Sequence, residues 1–176
     1  MRTTHLVALL AALLASPALS HCEVPCGIYG DKARIDALYE HVTTIEKAMT
    51  QITELSGKND AQSLNQAVRW ITTKDDHATQ IQHIVSQYFM TQRLDLDKEG
   101  QDRAKLVEEL VLLHGMLRSA MKTKQTLDAS HCAKLRKQID GFASLYFSAE
   151  DLEHIREDHG KHAEHEAGGK DKPGKK

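Results

Sequence analysis

Through most of the chain, apolar side chains return every three or four residues, the spacing of one face of a helix. Ile35, Leu38, Val42, Ile45, Met49 and Ile52 make the first such stripe, with Asp31 as its candidate cap. Ser56-Gly57-Lys58-Asn59-Asp60 reads as a turn. Leu64, Val68, Ile71, Ala78, Ile81, Val85 and Tyr88 form a second stripe, whose polar middle, Thr72 to Asp76, marks a place to fray or kink. Arg93 to Gly100 is a charged connection. A third stripe holds Leu106, Leu110, Leu113, Leu117 and Met121; a fourth holds Leu135, Ile139, Phe142 and Tyr146. Leu152 and Ile155 extend the fourth after a break near Ser148. Four amphipathic helices on short links predict an all-α protein, an antiparallel four-helix bundle. Aromatic residues are 5% of the chain and Pro occurs 3 times, too few for a sandwich or barrel. Bundles host many chemistries, so the pattern alone assigns no function.

Both ends depart from this pattern. Arg2, the apolar run from Leu6 to Ala15, the break at Ser16-Pro17 and the small residues Ala18 and Ser20 have the layout of a secretory signal peptide. The apolar run is well short of the ~20 residues of a membrane span. Residues 1–20 are therefore expected to be removed, leaving an exported protein, periplasmic or secreted, that begins at His21 and has no stable membrane association. Residues 21–158 form the folded unit. Residues 159–176, with His159, His162 and His165 among Lys, Glu and Gly, read as a disordered tail. A formal net charge of −2 argues against nucleic acid as a partner.

The chemistry gathers at His21-Cys22-Glu23-Val24-Pro25-Cys26-Gly27-Ile28-Tyr29. Cleavage before His21 would put a free α-amine beside an imidazole and a thiol. The amine, the next backbone amide nitrogen and the Cys22 sulfur can then chelate one ion in successive small rings. Pro25 turns the chain so that Cys26 can close the fourth corner. A tetragonal set of nitrogen and sulfur suits Ni(II) or Cu(II) better than tetrahedral zinc.

This stretch resembles the nickel hook of the nickel superoxide dismutases, His-Cys-x-x-Pro-Cys-Gly-x-Tyr, matched at His21, Cys22, Pro25, Cys26, Gly27 and Tyr29. Arg69-Trp70 and Ser86-Gln87-Tyr88-Phe89 are also similar to the family. The resemblance implies a nickel cofactor and disproportionation of superoxide to oxygen and hydrogen peroxide, nickel cycling between Ni(II) and Ni(III). It implies metal binding by His21, through its amine and an axial imidazole, and by Cys22 and Cys26. Tyr29 and Tyr88 would line the substrate channel. Glu23 stands where the family often has Asp, and Asp36 where it has a Glu bonded to the axial imidazole. Arg69 is the candidate for that imidazole's arginine partner. Met90 replaces a lysine of the family, so no charge-steering role carries over there. A homohexamer is implied too.

Other readings of the same residues stay open. Cys22 and Cys26 of an exported chain can form a disulfide, leaving Cys132 unpaired among 3 cysteines. Cys132, beside His131, reads as a small buried hydrophobe. His77 and His83 are six apart, and His41 and His114 are scattered; all read as solvated or core-edge histidines. With His154, the tail histidines are either incidental or a weak nickel-holding device. The competing functions are an exported nickel- or copper-binding protein without turnover and a thiol–disulfide carrier. The carrier is disfavoured by the three residues between the cysteines and the lack of a preceding strand.

Overall fold

The first helix, α1, runs from Asp31 to Leu55 and buries the whole of its predicted stripe. The computed structural model describes residues 30–97, 100, 102–148 and 152. The expected signal peptide, the hook from His21 to Tyr29, Ile155 and the histidine-rich tail lie outside the described residues. Helix α2 spans Ala61–His83, α3 Arg103–Gln125 and α4 Ser130–Tyr146. Among the described residues there is no strand.

Local chemistry sets most of the ends. The Asp60 carboxylate accepts from the Ser63 amide at 2.9 Å, and Asp102 accepts from the amides of Ala104 and Lys105. Each satisfies a donor that the first turn of a helix leaves without a partner. Before α4 the same service comes from Asp128, which accepts from Ser130 N at 2.9 Å. Asp31 does not cap α1: Gly30 holds the cap position without a side-chain bond, and Asp31 is the first helical residue.

Neighbouring helices are antiparallel, as the pairings show. Tyr39 meets Asp140 and Arg136 meets Glu46 between α1 and α4, whereas Ser119 meets Gln138 between α3 and α4. Gln82 donates to the Leu117 carbonyl between α2 and α3. The core between them holds Ile35, Leu38, Val42, Ile45, Ile81, Leu113, Met116, Leu135, Ile139 and Phe142, all without exposure. Each such side chain contributes about 1.5–3 kcal/mol by leaving water.

Three further expectations need correction. Thr72 to Asp76 does not fray but lies within continuous α-helix. Lys74 is buried, and its ammonium donates to the Thr123 and Lys124 carbonyls at 2.7 and 2.8 Å. It thereby ties this stretch to the last turn of α3, where the helix dipole favours a cation. Second, Leu64, Val68 and Ile71 are 66%, 54% and 44% exposed, so the first half of the α2 stripe faces away from the core. Third, the buried face of α3 is Leu106, Glu109, Leu113, Met116, Ala120 and Thr123, with Leu110, Leu117 and Met121 at its margin. A cluster of leucines in every register of α3 hid which face turns inward.

The departure from α geometry comes later. Ile84–Arg93 is a π-helix continuing α2. Its wide turns are marked by Leu94 N donating to Phe89 O at 3.1 Å, and by Thr91 and Gln92 side chains reaching the carbonyls five residues back. Hydrogen bonds from i to i+5 bring residues five apart to one face. Tyr88 and Arg93 therefore stand side by side at the end of the bundle, where α1 begins.

Candidate metal centre

Asp31 opens α1 at that end, and four donors converge on its carboxylate. Tyr88 Oη donates to Oδ1 at 2.6 Å and Tyr146 Oη to Oδ2 at 2.7 Å. Arg93 adds Nε to Oδ1 at 2.7 Å and Nη2 to Oδ2 at 2.9 Å, a two-pronged pair. One residue thus ties the start of α1 to the π-helix and to the last turn of α4. Beneath it lie Phe89, Phe142 and Tyr146, with edge-to-face contacts from Phe89 to both and a stacked contact between Phe142 and Tyr146.

The electrostatics follow from this geometry. Burial alone would raise the Asp31 carboxyl, but the bonds from Tyr88, Tyr146 and Arg93 and the Arg93 charge outweigh it and hold it below the ordinary value. Burial pushes the Tyr88 phenol up to about 12, helped by its bond to Asp31 and the Asp31 charge. Tyr146 rises for the same causes in the same order. Both phenols are therefore neutral at any physiological pH, each with its hydroxyl proton directed at Asp31.

A second guanidinium lies over Tyr88. Arg34 stands 5.1 Å from the ring centroid and Arg93 5.5 Å. The buried Nε of Arg34 has no hydrogen-bond partner among the described residues. Arg93 is matched by Asp31, so among the described residues Arg34 is the positive charge at this end of the bundle with no carboxylate bonded to it.

Of the residues singled out in the sequence, the structure therefore brings Tyr88 to the end where the chain enters the bundle. Asp36 is half-buried on α1 and held by Lys32 at 2.9 Å. Arg69 is on an exposed face of α2, 19 residues before Tyr88, about 28 Å along a helix. Among the described residues, the arginines at this end are Arg34 and Arg93. Met90 packs against the core. His21, Cys22, Glu23, Cys26 and Tyr29 lie outside the described residues. Cys132 is fully buried beside Met49, and burial lifts its thiol to about 11. A thiol so hard to ionise is a poor ligand. Among the described residues no group of three or more His, Cys, Asp or Glu side chains is placed to hold a metal.

A model of the nickel-containing superoxide dismutases matches residues 16–150. The chain belongs to that family. No curated protein and no solved structure matches it. This dismutase is an oxidoreductase with nickel as its cofactor, and its helical bundle agrees with the family's fold. The chemistry of the chain fits that metal. Its sequence holds His21, Cys22 and Cys26 within six residues, thiol and imidazole being the soft and borderline donor types that suit nickel.

Asp31, Arg34 and Arg93 escaped the sequence reading. Asp31 has the residue type and position of a cap, and that masked its use as a tertiary hub. Arg93 reads as part of a polar connection, because nothing in the pattern announces a π-helix carrying it to Tyr88. Arg34 sits within Ala33-Arg34-Ile35-Asp36, which drew attention to Asp36 instead.

Proposed function

We propose that superoxide is disproportionated at a mononuclear site built by the mature amino terminus. His21 would hold the metal through its amine and imidazole, Cys22 through its amide nitrogen and thiolate, and Cys26 through its thiolate. When bound, nickel supplies one-electron chemistry between its divalent and trivalent states. The observation that supports this reading is that the family match, residues 16–150, includes both the His21–Tyr29 stretch and the bundle.

The bundle's residues have three tasks in this account. Arg34, with no described hydrogen-bond partner at Nε, draws the superoxide anion toward this end. Asp31 fixes the Tyr88 ring and takes its hydroxyl hydrogen bond, so the phenol oxygen offers lone pairs to water or to a protonated product. A phenol raised to about 12 holds its own proton tightly, so Tyr88 orders the water that delivers protons rather than ionising itself. Glu23, Asp36 and Tyr29 complete the surroundings of the metal in this reading.

Export and assembly belong to the same proposal. Removal of residues 1–20 exposes the His21 amine, which gives export a chemical purpose. The exposed row of Leu64, Val68 and Ile71 on α2 supports a homo-oligomer, a hexamer by resemblance.

Serine replacements test the ligand assignment. Cys22→Ser and Cys26→Ser should each abolish dismutation and leave less than one nickel per chain, whereas Cys132→Ser keeps both. Nickel content and turnover unaffected by either hook substitution would overturn the assignment.

A further inference from the structure

His41 on α1 and His77 on α2 face each other across the helix pair. Their Nδ1 atoms are 2.9 Å apart, and the rings meet edge to face with centroids 4.9 Å apart. Both are half-buried. His41 lies ten residues along α1 from Asp31, about 15 Å away along the axis, so the pair is separate from the Tyr88 end. The sequence pattern leaves these two histidines scattered; the antiparallel register of α1 and α2 brings them together.

We propose that His41 and His77 form a second metal site, a chelate of two imidazoles for a divalent ion of the Cu(II) and Ni(II) class. Imidazole nitrogens bind such ions at about 2.05 Å. Two of them 2.9 Å apart then subtend an angle of about 90° at a shared ion. A tetrahedral ion would need them about 3.3 Å apart at the same bond length. The right angle is that of tetragonal and octahedral ions, which favours Cu(II) and Ni(II) over Zn(II). In the hydrogen-bonded pair the ring nitrogens point at each other, so both rings turn about their side-chain bonds to aim their lone pairs at the ion, while the packing of α1 on α2 already holds the nitrogens within reach.

Protonation suits the role as well. A nitrogen-to-nitrogen contact of this length holds one hydrogen, donated by one ring and accepted by the other. Burial, then the neighbouring His77, holds His41 below the ordinary histidine value, so His41 is neutral at pH 7. An entering ion also needs a change of tautomer: the bridging hydrogen leaves Nδ1 and a proton is taken up at Nε2 of the same ring. Both Nδ1 lone pairs are then available with no net proton released. The adjacent Glu40 carboxylate adds favourable charge. Among the described residues no third His, Cys, Asp or Glu completes a cluster, so water fills the other positions and the ion exchanges readily.

The test is independent of the hook. In the chain beginning at His21 with Cys22→Ser and Cys26→Ser, thermal unfolding is followed with Cu(II) or Ni(II) chloride added. An ion held only by the folded pair raises Tm, whereas ions bound equally by folded and unfolded chains, as on the histidine tail, leave it unchanged. At a hundredfold excess over Kd the rise should be roughly 5–10 °C, and His77→Gln should abolish it. His41→Gln serves as the second variant if His77→Gln fails to fold. No rise in the parent, or the same rise in a folded variant, overturns the proposal.

Discussion

Replacing Asp31 by Asn changes one charge and two lone-pair directions, and it should disturb three helical elements at once. The carboxylate accepts four bonds, two on each oxygen, from Tyr88, Tyr146 and Arg93. An amide keeps an acceptor on one side only; its NH₂ then faces two donors. Arg93 also loses its counter-charge. Breaking a fully buried pair costs about 3–5 kcal/mol. Here the Asp31 and Arg93 side chains are 15% and 29% exposed, which brings the expectation down to about 2–3 kcal/mol. Urea unfolding of the nickel-free protein reads this directly as a fall in midpoint. Ultraviolet titration of the tyrosines gives an independent reading. Tyr88 should fall from about 12, remaining above its ordinary value because burial, the largest cause, persists. Asp36→Asn is the control: its half-buried pairing with Lys32, four residues away on the same helix, is worth about 0.3–0.5 kcal/mol. If D31N unfolds within about 0.5 kcal/mol of the parent and leaves the tyrosine titration unchanged, Asp31 is not the hub described.

Arg34→Gln should lower kcat/KM several-fold at low salt and flatten its dependence on ionic strength, because the unmatched charge near Tyr88 is removed; a parallel, equally steep salt profile would count against steering. Raising the pH should destabilise the protein between about 10 and 12. The unfolded Tyr88 loses its proton near 10, while the folded one holds it to about 12. Its contribution is therefore complete below 10 and falls by about 1.4 kcal/mol per unit above it, a slope that urea midpoints at successive pH values would show and that D31N should lessen. Val68→Glu, on the exposed row of α2, should reduce the assembly mass measured by light scattering while leaving the helical spectrum intact; an unchanged mass would place the interface elsewhere.

The periodicity was sufficient for the helices because burial at intervals of three and four is a property of the chain itself. Ile35 to Ile52 is the clearest case, every predicted position being buried. It failed where apolar residues occur without burial, as at Leu64, Val68 and Ile71, since a stripe does not reveal whether its partner lies in the same chain. The motif from His21 to Tyr29 stood out in the sequence because its candidate donors lie within nine consecutive residues, which themselves lie outside the described residues. The Asp31 hub and the His41–His77 pair did not, for they join residues 57, 115 and 36 positions apart. Only the register of packed helices, and one π-helical stretch, creates those contacts.

The most direct test of the central claim compares superoxide dismutation by nickel-loaded protein beginning at His21 with that of the same protein carrying one residue before it. The account predicts rapid turnover from the first and its loss in the second, because the added residue turns the chelating amine into an amide. Equal turnover in both would contradict a site built on the His21 amine.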